Sequence, residues 1–392
     1  MNDGFSWAGS VEKTSKIWIF LYILAVVFVL VLAKPSPKVR FFIYSKFAQI
    51  NDAQALYELG NCYYRGIGTQ KDFKKSAECF EKAAEKNYRD AWYQVANLHS
   101  HGLGIESGPE TDPEFWGDFP LDYQKARECY IKAAEHNNFD AYYRLGDIYR
   151  AGLGVERNYR QAFEHYRVAA HEGVTQARYW LGHFFSHAAG VQRDFEQQPG
   201  FWNGIDLDYM LAYEWYMRAA LKGYAPAQCR VGFLLSYGEG TPAEDVFFGV
   251  QKNYRQAVEW YAEAAEQGNF IAQSRLGYLY YTGKGVAQDN TKAFEWWMKA
   301  AEQNYVFAQL RVGSMYRDGE GVTQSDELAL LWYDKAAEQG DRIARGCANT
   351  LRRQMQESSM PLDAQASNVS DQPRALPLSY GSAREEQQLA AA

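Results

Sequence analysis

Apolar positions recur along most of this chain at helical spacing. Between residues 272 and 304, Ala272, Leu276, Leu279 and Tyr280 lie at i, i+4, i+7 and i+8 and form one stripe of a first helix. Gly283-Lys284-Gly285 ends that helix, because glycine tolerates the left-handed C-cap. A second helix follows, with Ala293, Trp296, Trp297, Ala300 and Ala301 on its apolar face. The alanines let a neighbour pack tightly, and the tryptophans supply buried area. Gly277 removes side-chain bulk beside the first stripe, where the second helix must come close. Such a pair cannot bury both faces alone, so neighbouring pairs must cover it.

The pattern repeats. Ala141, Ala177, Ala272, Ala308 and Ala344 hold the same place, and the steps 141 to 177, 272 to 308 and 308 to 344 are each 36 residues. A fixed period of this size predicts a stacked helical solenoid. Seven repeats open at Ala55, Ala91, Ala141, Ala177, Ala227, Ala272 and Ala308. The steps from Ala91 and Ala177 are longer, 50 residues each, and the step from Ala227 is 45. The excess falls between the two helices of a unit. Two insertions share the pattern P-x-F-W-x4-L-D-Y, at Pro113 to Tyr123 and Pro199 to Tyr209, and stand 86 residues apart. The third lies around Pro242 to Val250 and carries Phe247-Phe248. Residues 39–52 align with a second helix, Phe41 matching Phe163, Tyr44 matching Tyr166 and Ala48 matching Ala170, which predicts a half-repeat cap. A C-terminal cap is expected over 341–356. Residues 357–392 are rich in Ser, Gln and Ala, lack periodicity and read as disordered.

The segments AYYRLGDIYRAGLGV at 141, ARYWLG at 177, KAFEWWMKAAEQN at 292 and AQLRVGSMYRDGEGV at 308 resemble Sel1-like repeats, relatives of the tetratricopeptide repeats. The resemblance covers most of the chain. It implies an all-α, right-handed superhelical solenoid used as a protein-binding scaffold, with no shared active site.

Ahead of the repeats, Ile17 to Ala33 is 17 residues without a charge, bracketed by Lys16 and Lys34 and followed by Pro35 and Pro37. As a helix it spans roughly 26 Å, enough for a thin bilayer. A single transmembrane anchor is the expectation. A cleaved signal peptide ending at Val31-Leu32-Ala33 is the alternative. Counting Lys13 and Lys16 against Lys34, Lys38, Arg40 and Lys46 favours repeats in the cytoplasm. Exported bacterial relatives with an N-terminal apolar segment favour the opposite side. The expected location is therefore the inner membrane, with the repeats on the periplasmic side.

Charge and chemistry narrow the function. The net charge is −7, with acids and bases interleaved and no basic stripe, which argues against nucleic acid. Cys62, Cys79, Cys129, Cys229 and Cys347 show no CxxC spacing; the first four occupy positions that are small or apolar in other repeats, as for buried residues. His183 and His187 stand at i, i+4, with His165 and His171 on the preceding helix, but HFFSH lacks the glutamate of HExxH. There is no G-x-S-x-G and no P-loop. No enzyme activity, cofactor or metal is expected.

Two sets of residues are candidates for binding a protein partner. One is the insertions, with Phe115, Trp116, Phe119, Phe201, Trp202, Phe247 and Phe248: exposed aromatics on a rigid scaffold anchor interfaces. Alternatively each loop folds back as a cap, with Leu121 and Leu207 packing. The other set lies on the first helices, which line the concave face in proteins with these repeats. It comprises a tyrosine series (Tyr57, Tyr93, Tyr143, Tyr179) and an arginine series (Arg144, Arg230, Arg275, Arg311). The plainer readings are tyrosines packed between repeats and arginines on a solvated face. The resemblance implies, most concretely, an immunity protein that neutralises a phospholipase effector of type VI secretion. A scaffold for exopolysaccharide or envelope machinery and a cytoplasmic-facing signalling adaptor are the alternatives.

Overall fold

The computed structural model describes residues 36–102, 113–117, 119–186, 208–236 and 252–359. Among them are sixteen α-helices and one 3-10 turn, Pro113–Trp116. The helices are α1 Pro37–Gln49, α2 Ala53–Arg65, α3 Phe73–Glu85, α4 Ala91–His99, α5 Tyr123–Glu135, α6 Phe139–Ala151, α7 Tyr159–His171 and α8 Thr175–Ser186. They continue as α9 Tyr209–Ala220, α10 Ala225–Ser236, α11 Tyr254–Glu266, α12 Phe270–Thr282, α13 Asn290–Glu302, α14 Val306–Asp318, α15 Asp326–Glu338 and α16 Arg342–Ser359. The architecture is an all-α solenoid of helix pairs. Two compact units divide it, Met1–Val168 and Ala169–Ala392.

Local signals start and stop many of the helices. Asp72, Asp122, Asp208 and Asp289 cap second helices by accepting the backbone N–H three residues on, at 2.8–3.0 Å. Asp52, Asn138 and Asn269 cap first helices in the same way. Gly66, Gly152, Gly283 and Gly319 close first helices in the left-handed conformation.

Packing inside six of the pairs follows one rule. The second helix places a large ring against a glycine of the first. Phe80 meets Gly60, Tyr166 meets Gly146, Tyr216 meets Gly182, Tyr261 meets Gly232, Trp297 meets Gly277 and Tyr333 meets Gly313. All six rings are buried. Their polar atoms are bonded, as burial demands. The Tyr166 hydroxyl donates to Asp147 at 2.8 Å, and Trp297 Nε1 donates to the Ser274 carbonyl at 3.0 Å. Trp296, on the same helix, is only half-buried, with Lys299 Nζ 3.8 Å above its ring.

Packing between pairs uses a second glycine. A side chain at Gly285 would run into the backbone of Tyr254, and one at Gly154 into Tyr123, the first residues of the preceding pairs' second helices. Gly68 meets Pro37 in the same manner, so α1 stands where a second helix stands elsewhere. In the second unit a glutamine ladder adds polar stitching. Gln273 Nε2 donates to the Ala265 carbonyl at 3.1 Å, and Gln309 Nε2 to Ala301 at 3.3 Å. The acceptor oxygens of Gln228, Gln273 and Gln309 are met in turn by Gln267, Gln303 and Gln339 at 2.7–2.8 Å.

The expected localisation is corrected. Among the described residues no helix is long and apolar enough to cross a membrane, so no single-pass inner-membrane anchor is indicated. The segment Ile17 to Ala33, on which the anchor and the periplasmic orientation rested, lies outside the described residues, as does the tail from 360 onward.

Candidate partner-binding faces

The tyrosine series comes from one helical register, and each ring is half-buried. Tyr57 on α2 stacks on Tyr88 at 4.6 Å and leans on Phe80 at 5.3 Å. Tyr93 on α4 packs on Tyr130 at 5.7 Å, and Tyr143 on α6 packs on Tyr166 at 5.9 Å. In the second unit Tyr179 on α8 packs on Tyr216 at 5.7 Å and on Tyr224 at 5.5 Å. Its hydroxyl lies 2.8 Å from His183 Nε2. Each ring therefore has one side fixed against the second helix of its own pair. A ring already fixed in place loses little entropy when a partner covers its remaining edge.

The arginines do not form a solvated face. The Arg144 side chain is only 14% exposed; its guanidinium lies over Tyr143 at 5.0 Å and its Nη1 is 3.7 Å from Asp147 Oδ2. Arg230 is 9% exposed, beside Tyr216 and Tyr179. Arg311 lies over Phe307 at 5.0 Å, and Arg275 over Phe233 at 5.8 Å. The physical reason is the stem: from this position the chain runs inward along aromatic rings, and the planar guanidinium stacks on them. Asp147, buried between Arg144 and Arg150, has its carboxyl pushed up by burial despite the Tyr166 hydrogen bond and the two guanidiniums.

The insertion loop departs from one expectation. Trp116 is 2% exposed, so it is not an open anchor. It stacks on His101 at 4.8 Å and lies 5.1 Å from Phe73 of α3. Phe115 and Phe119 are half-buried beside it. The turn is held by Phe119 N donating to the Trp116 carbonyl at 3.1 Å and by Asp122 N donating to the His99 carbonyl at 2.8 Å. Leu121, expected to pack under a folded-back loop, is 49% exposed instead. Phe201, Trp202, Leu207, Phe247 and Phe248 lie outside the described residues.

The cysteines and histidines fill space. Burial pushes the thiols of Cys79, Cys129 and Cys229 up to about 11, far from thiolate chemistry at neutral pH. His165 stacks on Tyr149 at 5.4 Å, and His171 meets the edge of Trp215 at 5.2 Å. His187 lies outside the described residues. Among the described residues no group of three His, Cys, Asp or Glu side chains is placed to hold a metal ion.

With this geometry in hand the comparisons are direct. The Sel1 repeat matches residues 53–88, 115–138, 139–174, 175–197, 198–224, 225–269, 271–305 and 306–341, well over half of the chain. The chain belongs to the Sel1 repeat family. Segments 175–197 and 198–224 together cover the pair that opens at Ala177, and the second contains its insertion at 199–209. A Sel1 repeat protein from Oxalobacter formigenes is similar over 79% of this chain and 80% of its own, at 25% identity and a TM-score of 0.59. A protective antigen of uropathogenic Escherichia coli strains, with an SLR fold, is 25% identical over 86% of this chain and 76% of its own, with a TM-score of 0.50. An uncharacterised Sel1-like repeat-containing protein of Schizosaccharomyces pombe is 37% identical over 62 residues, 16% of this chain. That match spans only 9% of the length of the yeast protein. Sel1 repeats mediate protein–protein contact, and this chain is a Sel1-repeat scaffold.

Sequence reasoning missed the glutamine ladder and the residues of α3 that receive the insertion loop. The ladder had a signal: Ala-Gln opens repeats at 227, 272 and 308, and Ala-Glu-Gln closes second helices at 265–267, 301–303 and 337–339. The α3 residues had none, because only the folded loop brings Phe73 and Trp116 together.

Proposed function

We propose that this Sel1 protein binds another protein through its first-helix faces, and that Tyr93, Tyr143 and Arg144 form the contact in the first unit. The supporting observation is that half-buried tyrosine rings are fixed from behind by second-helix aromatics, next to a guanidinium stacked on one of them. Aromatic and arginine side chains held this way are the residue types that dominate interface energies.

The experiment is site-specific photocrosslinking in the native host. Benzoylphenylalanine in place of Tyr93 or Tyr143 should give a discrete covalent adduct. The same probe in place of Glu128, exposed on second helix α5, should not. Adducts of equal yield from Glu128, or none from Tyr93 and Tyr143, would reject the assignment. The finer role, neutralising a type VI phospholipase effector, rests on the resemblance of the repeats and on no single residue of this chain. A lipase in the adduct supports it. A polysaccharide-machinery or signalling protein there supports the alternative roles.

A further inference from the structure

The insertion at 113–123 is unnecessary for a solenoid, since other pairs close without one. Its buried tryptophan nevertheless shows a built structure rather than a loose loop. Trp116 forms a floor against α3, and a cavity of about 840 Å³ remains beside it. Phe73, Phe115 and Phe119 line this cavity as half-buried rings. His99 lies at its base, 6% exposed, with neither ring nitrogen hydrogen-bonded. The charged lining residues are Lys71, Asp72, Lys74, Glu78, Glu81 and Lys125. Of the three lining carboxylates, Glu81 is paired with Lys125 at 3.0 Å and Asp72 with Lys75 at 2.9 Å. That leaves Glu78 against two exposed lysines, Lys71 and Lys74, which have no ion-pair partner among the described residues. Lys71 Nζ stands 4.1 Å over the Phe115 ring, directly at the aromatic wall.

From this arrangement we infer a second docking site, for a short segment of a partner protein carrying an aromatic side chain flanked by acidic residues. The aromatic side chain packs onto the open face of the Phe73, Phe115 and Phe119 cluster, whose rings touch at 5.3 and 6.3 Å, and its acidic neighbours meet Lys71 and Lys74. The volume suits a few residues, not a folded domain. The inference rests on the reading of the protein as a binding scaffold, but it uses no residue of the first-helix faces.

The test uses the full chain and a labelled, blocked tetrapeptide Glu-Phe-Glu-Leu, with Gln-Phe-Gln-Leu as its neutral counterpart, followed by fluorescence anisotropy. The acidic peptide should bind more tightly than the neutral one, and rising salt should erase the difference. Phe115→Ala should weaken binding more than tenfold, as loss of a central aromatic contact does. Lys71→Gln with Lys74→Gln should weaken it about three- to tenfold, the range of exposed ion pairs. Because Phe115→Ala can disturb the loop, Lys71→Glu serves as a second variant at an exposed position, and it should weaken binding further than Lys71→Gln. Tyr143→Ala should leave peptide affinity unchanged, which separates this site from the first-helix face. No binding at millimolar peptide, equal affinity for the two peptides, or full affinity in the lysine variants overturns the inference.

Discussion

Consider replacing Gly146 by alanine. In an exposed helix interior this change stabilises by about 1 kcal/mol, because alanine has less backbone entropy to lose. At Gly146 the added Cβ would stand 2.5 Å from Tyr166 Cε1, 2.6 Å from Cδ1 and 2.9 Å from Cζ. Ordinary carbon–carbon contact begins at about 3.5 Å, so the ring must retreat by about 1 Å. It cannot do so freely. Tyr166 is fully buried, its hydroxyl donates to Asp147 at 2.8 Å, and Arg150 Nε donates to it at 3.1 Å. Overpacking of this kind costs about 1–3 kcal/mol, and the rigid ring puts Gly146 toward the upper end. The net effect is a loss of about 1–2 kcal/mol after the helix gain is subtracted. Gly346 on α16 has nothing within 4 Å of an added Cβ, so Gly346→Ala should raise stability. Gly232, where the nearest Tyr261 atoms stand at 3.0 Å, should fall between them. Urea unfolding of the three variants supplies midpoints. Amide exchange on α6 and α7 then shows whether the Gly146 loss is local, as nearest-neighbour coupling requires. If Gly146→Ala stabilises as much as Gly346→Ala, the ring-on-glycine account of pair packing is refuted. Ala96 already occupies the equivalent place in the repeat that opens at Ala91, so the penalty belongs to the packing at Gly146 and not to the register as such.

Gln273→Ala should destabilise the second unit by about 0.5–1.5 kcal/mol, since it removes the hydrogen bonds to the Ala265 carbonyl and from the Gln303 amide; a thermal melt with no shift would remove the ladder from the account. Trp116→Ala should cost about 3–5 kcal/mol and expose Phe73 to solvent, seen as faster amide exchange on α3; unchanged exchange would mean the loop does not cap that helix. For pH, burial holds the His99 imidazole below its ordinary value of 6.5, with Lys125 adding to the effect. The unfolded chain then binds the proton more readily than the folded one. His99 therefore contributes full stability above pH 6.5 and loses it as the pH falls below that value. His99→Phe, which copies Phe185 in the same register, should flatten that part of the profile; an unchanged pH dependence would show that His99 does not set it. Asp147 acts with the opposite sign: its raised carboxyl weakens the fold when ionised, and that penalty fades as the pH falls toward 3.8.

The sequence by itself determined the repeat. Alanines at fixed spacing, Gly-x-Gly turns and paired apolar stripes are local facts, and a 36-residue period leaves little besides stacked helix pairs. It also marked Gly277 as a place where the second helix must come close. Tertiary structure alone decided which side each special residue faces. Trp116 could be an exposed anchor or part of a folded-back cap, because an insertion carries no period and without a period no face can be assigned; the fold turns it onto His101 and Phe73 and buries it. The arginines looked solvated because charge in a helix usually is, yet they lie over aromatic rings, Tyr143 and Phe307 on their own helices and Phe233 and Trp297 on neighbouring ones. Tyr57, Tyr93, Tyr143 and Tyr179 could be placed in register from sequence. How much of each ring remains open depends on the second-helix aromatic behind it, tens of residues further along the chain. Periodicity fixes what packs locally, and the contacts between helices fix what is left for a partner to touch.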